Sequence, residues 1–162
     1  MILTVYFQRP TTSVDVYDID SKTWFTQPTT ADKGNGFAPE RQEGCAVVAS
    51  APDGSSHNIY MYGGWVVNEK PFTDIFILSL PSFHWVNVGT GLDPPRINHR
   101  CAVVHNKFLV SSRGSGRDNK CDTNNGLQLF DMSALQWTTR LDATADHEYV
   151  IPQALFKVIG GE

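Results

Sequence analysis

The sequence predicts an all-β chain built from repeated four-stranded antiparallel units. Three observations carry this. First, an aromatic strand ends in a glycine pair, a third strand follows a loop, and a tryptophan strand comes last. The clearest copy runs Asn58-Ile59-Tyr60-Met61-Tyr62-Gly63-Gly64, then Thr73-Asp74-Ile75-Phe76-Ile77-Leu78, then Phe83-His84-Trp85-Val86. Second, Cys45-Ala46-Val47-Val48 returns as Cys101-Ala102-Val103-Val104, an offset of 56 residues (101 − 45). Third, no segment places apolar residues at i, i+3, i+4 and i+7 over three turns, so helical periodicity is absent. A unit recurring at such a period buries its apolar faces against its neighbours, in a stacked or radial array.

Taken in chain order, Met1-Ile2-Leu3-Thr4-Val5-Tyr6-Phe7 reads as a strand. It is too short for a signal peptide and lacks a basic leading region and a small-residue cleavage site. Ser13-Val14-Asp15-Val16-Tyr17-Asp18 is the third strand of an incomplete first copy, and Trp24 marks its fourth. The second copy opens on the short apolar run at Cys45, of the kind that makes a doubly buried strand. In the third copy, Lys107-Phe108-Leu109-Val110 leads into Arg113-Gly114-Ser115-Gly116, Gly126-Leu127-Gln128-Leu129-Phe130-Asp131 follows, and Trp137 closes it. The tryptophans lie 61 and 52 residues apart (85 − 24 and 137 − 85). Short polar stretches at Asp20-Ser21-Lys22, Pro81-Ser82 and Ser133-Ala134-Leu135-Gln136 serve as hairpin turns between third and fourth strands. The last segment, Tyr149 to Ile159-Gly160-Gly161, reads as the opening strands of a further copy. The divisions are therefore 1–38, 39–92, 93–142 and 143–162.

Composition narrows the function. The chain has 162 residues, 41% hydrophobic and 19% charged, an ordinary globular balance. A net charge of -4 without clustered Lys and Arg argues against a nucleic-acid partner. No run of about 18 apolar residues is present to span a membrane as a helix. Three cysteines are too few for a disulfide framework, and they permit either a reducing or an oxidising compartment. Cys45 and Cys101 fall at equivalent places in two copies, and Cys101 is expected on an inner strand as an inert small hydrophobe.

The glycine pairs Gly63-Gly64 and Gly160-Gly161, the third-strand Val16-Tyr17-Asp18 and Leu129-Phe130-Asp131, and Trp24, Trp85 and Trp137 together resemble the kelch repeat, the four-stranded blade of a β-propeller. The resemblance covers nearly the whole chain, and the kelch period of about 50 residues agrees with the offsets. It implies an incomplete first blade over 1–38, a second over 39–92, a third over 93–142, and opening strands of another over 143–162. The texture also resembles extracellular or membrane-tethered kelch proteins of filamentous fungi, in which a Tyr-x-x-Pro before a terminal Ile-Gly-Gly closes the propeller. The copies depart from the pattern where Phe7-Gln8-Arg9-Pro10 and Arg113-Gly114-Ser115-Gly116 replace the glycine pair, and where Phe76-Ile77-Leu78-Ser79 lacks the aspartate. Propellers close with about four to eight blades. This arc of about three is therefore read as a fragment of a longer propeller; the alternatives are a ring assembled by self-association of two or more copies, or a short open arc whose exposed inter-blade faces favour aggregation.

No catalytic motif or metal-binding pattern stands out, and no cofactor is expected. The histidines His57, His84, His99, His105 and His147 are scattered, and reactive thiols need an exposed electropositive site. The resemblance also reaches a galactose-oxidase-like enzyme with copper held by Tyr and His and a Tyr cross-linked to Cys, but nothing around Cys121 matches. The leading expectation is a non-enzymatic protein-interaction scaffold; the alternative is the structural share of an oxidase or carbohydrate-active extracellular enzyme. In kelch propellers, partners dock on the loops at one channel mouth. By position these loops carry Arg41, Trp65, Arg96, Asn98, Arg100, Arg113 and Arg117. Arginines grouped there favour an acidic protein or peptide, because guanidinium grips carboxylate in a two-pronged fork. Trp65 is expected to be exposed as an anchor.

Overall fold

A computed structural model describes residues 10–34, 36–89, 94–116, 126–141 and 148–159. Its strands group into three sheets. β1 (Ser13–Asp18) and β2 (Thr23–Pro28) form a two-stranded hairpin. β4 (Cys45–Ser50), β5 (His57–Tyr62), β6 (Ile75–Leu80) and β7 (His84–Asn87) form an antiparallel meander. The short β3 (Thr30–Ala31) adds to its outer edge, parallel to β7. β8 (Arg100–Val104), β9 (Phe108–Ser112), β10 (Leu127–Asp131) and β11 (Gln136–Thr138) repeat the meander. The all-β, partial-propeller architecture is the one the repeats predict.

The middle sheet is buried on both faces, which is why β6 reads as a continuous apolar run; its first five residues are all buried. Successive side chains point to opposite faces of a strand. Tyr60, Tyr62, Ile75, Ile77 and Val86 share one core with Leu109 and Phe130 of the next sheet, and Trp137 packs against it. Met61, Phe76, Leu78 and Trp85 form a second core with Val14 and Ala31 of the preceding segment. The repeat tryptophan thus turns toward the preceding sheet each time. Trp85 is 5% exposed there, whereas Trp24, with no described neighbouring sheet on its face, is 69% exposed, its ring tilted against that of its strand partner Tyr17.

The third-strand aspartate has a local task. Asp18 Oδ1 accepts from the amides of Asp20 (2.8 Å) and Ser21 (3.3 Å), and Asp131 Oδ1 accepts from Ser133 and Ala134 (both 2.9 Å). Each carboxylate folds the chain into the turn before the tryptophan strand. The backbone amides of Ser21 and Asp20 hold the Asp18 carboxyl below the usual range. In the middle sheet, which lacks the aspartate, a cis Leu80–Pro81 bond and a Ser82 hydroxyl donating to Ser79 O (3.1 Å) occupy the same place.

The last segment departs from expectation. Where opening strands were expected over 143–162, residues Gln153–Ile159 form the helix α1. Leu155 and Val158 of the helix, three residues apart on one face, and Ile151 just before it all pack on the core between the two larger sheets. A helix stripe too short to register over three turns is completed by that core. Tyr149, just before it, is fully buried and bonds Tyr60 Oη (3.0 Å) and Asn58 Nδ2 (3.2 Å). Gly160 and Gly161 lie outside the described residues.

Candidate functional site

The loops before β4 and β8 and after β5 and β9 all leave the same end of the two larger sheets, since neighbouring strands run antiparallel. They are stitched together across the sheets. Gly64 N donates to Arg96 O (2.7 Å), and Asn98 N donates to Glu43 O (3.0 Å). The glycine pair makes the first of these joins possible. Gly63 and Gly64 have φ of 64° and 90°, and a Cβ on Gly63 would lie 2.5 Å from Arg96 O and 2.8 Å from the His99 ring. In the third sheet Arg113 (φ 60°) and Gly114 (φ 81°) take the same bend, with Gly114 pressed on Ile97 O and His99. The degenerate third copy therefore keeps one glycine, at the position where contact forbids a side chain.

The sequence-selected residues separate into two groups at this end. Arg41 and Arg96 are buried, 5% and 3% exposed. Arg41 bonds Asp74 through both Nη atoms, donates to Gly63 O (3.0 Å) and Pro39 O (3.2 Å), and lies 4.2 Å over the Phe72 ring. Four of its five N–H groups are engaged in holding the loops. Trp65 is half-buried, its Nε1 donating to Glu43 Oε2 (2.8 Å) and its backbone paired with Gln42; the expected exposed anchor is a tied-down ring. Asn98, Arg100 and Arg113 are exposed. Arg100 Nη1 donates to its neighbour His99 O (3.3 Å). Arg117 and Cys121 lie outside the described residues.

Sequence reasoning missed the feature at the centre of this end. Cys45 and Cys101 form a disulfide between β4 and β8, with Cα atoms 5.8 Å apart, so Cys101 is not an isolated small hydrophobe. Nor are the two cysteines structurally equivalent. Gln42 pairs with Trp65 as Ile97 pairs with Ser115, and Cys45 pairs with Tyr62 as Arg100 pairs with Ser112. Glu43 and Asn98 share a left-handed φ (59° and 54°). The structural counterpart of Cys45 is therefore Arg100, one residue before Cys101. A one-residue shift turns a side chain to the opposite face of its strand. Cys45 faces the next sheet and Cys101 faces the previous one, so they meet.

His99 completes the cluster. Its ring is 1% exposed, sits edge-on to Tyr62 (centroids 5.1 Å, 69°), and neither nitrogen makes a hydrogen bond of normal geometry. Burial drives its pKa down to about 4, helped by the Arg96 charge and less by Arg100; the Tyr62 backbone acts the other way. A ligand nitrogen of His99 and the two sulfurs lie within 4.8 Å of one another. Among the described residues this Cys₂His set is the one grouping able to hold a metal ion. Its chemistry differs from the Tyr and His ligands of a copper radical oxidase.

No family model matches the chain. Over 92% of its length it is 32% identical to a protein of Arthroderma benhamiae described as a kelch repeat-containing protein. The chain spans 26% of that relative.

Proposed function

Starting from a chain that is built of kelch-type repeats and forms part of a β-propeller, we propose a non-enzymatic protein-interaction scaffold, one arc of a longer ring. The observation that carries this reading is the division of labour at the loop end. Arg41, Arg96 and Trp65 are drawn into holding the loops, which leaves Asn98, Arg100 and Arg113 displayed on a braced platform. Displayed guanidinium groups on a rigid support suit the carboxylates of an acidic protein or peptide segment. The exposed face of Trp24, Tyr17 and Ile19 supports the arc. Its counterparts bury Trp85 and pack Trp137 against a preceding blade, so a further blade, or a second copy of the chain, suits that face.

The platform is tested with a fluorescent glutamate-rich peptide and anisotropy. Binding that weakens as salt rises, and falls at least tenfold in an Arg100→Ala/Arg113→Ala chain, supports it. Equal binding by that variant, with unchanged circular dichroism, removes the assigned face. Light scattering tests the arc: a discrete assembly that Trp24→Ser dissociates supports coverage by a second copy. A folded monomer that is indifferent to Trp24→Ser places the covering blade in a longer chain.

A further inference from the structure

We propose that Cys45, His99 and Cys101 form a redox-gated site for a soft divalent metal ion such as Zn²⁺, filled when the inter-sheet disulfide is reduced. Two thiolates and an imidazole are the donor set that Zn²⁺ takes in Cys₂His sites, with a fourth position left for water or an outside ligand. The three donor atoms already lie within 4.8 Å of one another. His99 is the independent sign of a ligand. A histidine 1% exposed, whose ring nitrogens make no hydrogen bond of normal geometry and have only a poorer approach to the Tyr62 backbone, is short of polar partners, and a metal ion would supply one. The ring is held in place by Tyr62 and by the close backbones of Gly63 and Gly114, so it is positioned before any ion arrives.

The geometry allows the exchange. The strands keep Cα atoms of the two cysteines 5.8 Å apart. Around a tetrahedral ion with Zn–S bonds near 2.3 Å, the sulfurs part to about 3.8 Å, within reach of side-chain rotation alone. Both cysteines are only partly buried, which leaves a route for the ion and for a fourth ligand. The chemistry balances with a dithiol as reductant. Its thiolate attacks one sulfur, the Cys45–Cys101 bond breaks, and the reductant closes into its own disulfide. Two electrons and two protons pass to the protein as two thiols. Zn²⁺ then displaces those two protons, while His99 contributes a lone pair. A disulfide of the oxidant class reverses the sequence and releases the ion. The two blades are clipped in either state, by a covalent bond or by a metal, so the site reports redox state without letting the sheets separate.

The test uses the whole chain with Cys121→Ser, which removes the third thiol. It is reduced with a phosphine, desalted without oxygen and titrated with Co²⁺. The expected result is one ion per chain with a thiolate-to-cobalt charge-transfer band, displaced by Zn²⁺, and no such band from the oxidised protein. Cys45→Ser should abolish the band, and His99→Gln should weaken binding about tenfold or more while shifting the visible d–d bands. His99→Gln still closes its disulfide, so its fold is verified in the oxidised state. The proposal is overturned if the reduced chain binds no more cobalt than Cys45→Ser, folded or not, or if His99→Gln binds with unchanged affinity and spectrum.

Discussion

Cys45 and Cys101 are joined across two adjacent sheets, and they project from opposite faces of equivalent strands. The bond therefore clips blade to blade across a sequence separation of 56, at the end where the loops before β4 and β8 gather. Without the one-residue offset between β4 and β8, both thiols would point the same way and could not meet.

The offset predicts which cysteine can be moved. An Arg100→Cys/Cys101→Ala chain places both thiols at true structural counterparts, and it should form no internal disulfide. Free-thiol titration and mass spectrometry of the oxidised protein read the outcome; an intact bond would contradict the register. Simple removal, by Cys101→Ser, should lower stability by about 2–5 kcal/mol in urea unfolding under oxidising conditions.

Two glycines with left-handed φ should respond differently to alanine. Gly63 faces Arg96 O at 2.5 Å from a would-be Cβ, whereas nothing lies within 4 Å at Gly54 (φ 71°). Gly54→Ala bears only the backbone strain, about 1 kcal/mol, while Gly63→Ala also forces the loops apart and should cost at least about 3 kcal/mol. Similar melting temperatures for the two variants would show that the Gly64–Arg96 stitch yields easily.

Arg41 and Asp74 form an ion pair with one partner buried and the other 23% exposed in its side chain. Breaking it leaves an uncompensated buried charge, so Asp74→Asn should destabilise by about 2–4 kcal/mol. Acidic-peptide binding at saturating folded protein should stay unchanged, because Arg41 is a brace. A loss of peptide binding without a loss of stability would put Arg41 on the docking face instead.

Burial raises the Tyr60 hydroxyl far above its ordinary value of 10.0, with the charge of Tyr149 adding to it, and burial also raises Tyr149. Folded tyrosines thus stay protonated where unfolded ones ionise. The stability is fully present below pH 10 and is lost as pH rises further, by about 1.4 kcal/mol per unit for each tyrosine. Tyr60→Phe gives up its bond to Met132 O (2.8 Å) and is less stable at neutral pH, but its alkaline slope should be shallower. Urea midpoints between pH 9 and 11 decide it; an unchanged slope would mean that the Tyr60 hydroxyl meets water in the folded state.

Much of this protein is written locally. The period of the glycines, aspartates and tryptophans determined the blades, because each residue acts on its own turn or its own face: Asp18 and Asp131 fold a hairpin within three residues. The candidate loops were legible for the same reason, since a loop's place follows from strand order. What the loop residues do was not. Arg41 and Arg113 look alike in sequence, and only the presence of Asp74 and Phe72 beside one of them makes it a brace. The helix at Gln153–Ile159 depends on a core formed by two distant sheets. The cysteine pair is the clearest case. Two Cys-Ala-Val-Val runs align perfectly as text, yet the strand register, set by loop bends at Glu43 and Asn98, displaces one of them by a single residue. With a side-chain period of two, that displacement decides which face each sulfur takes, and only the packing of one sheet on the next brings His99 beside the pair.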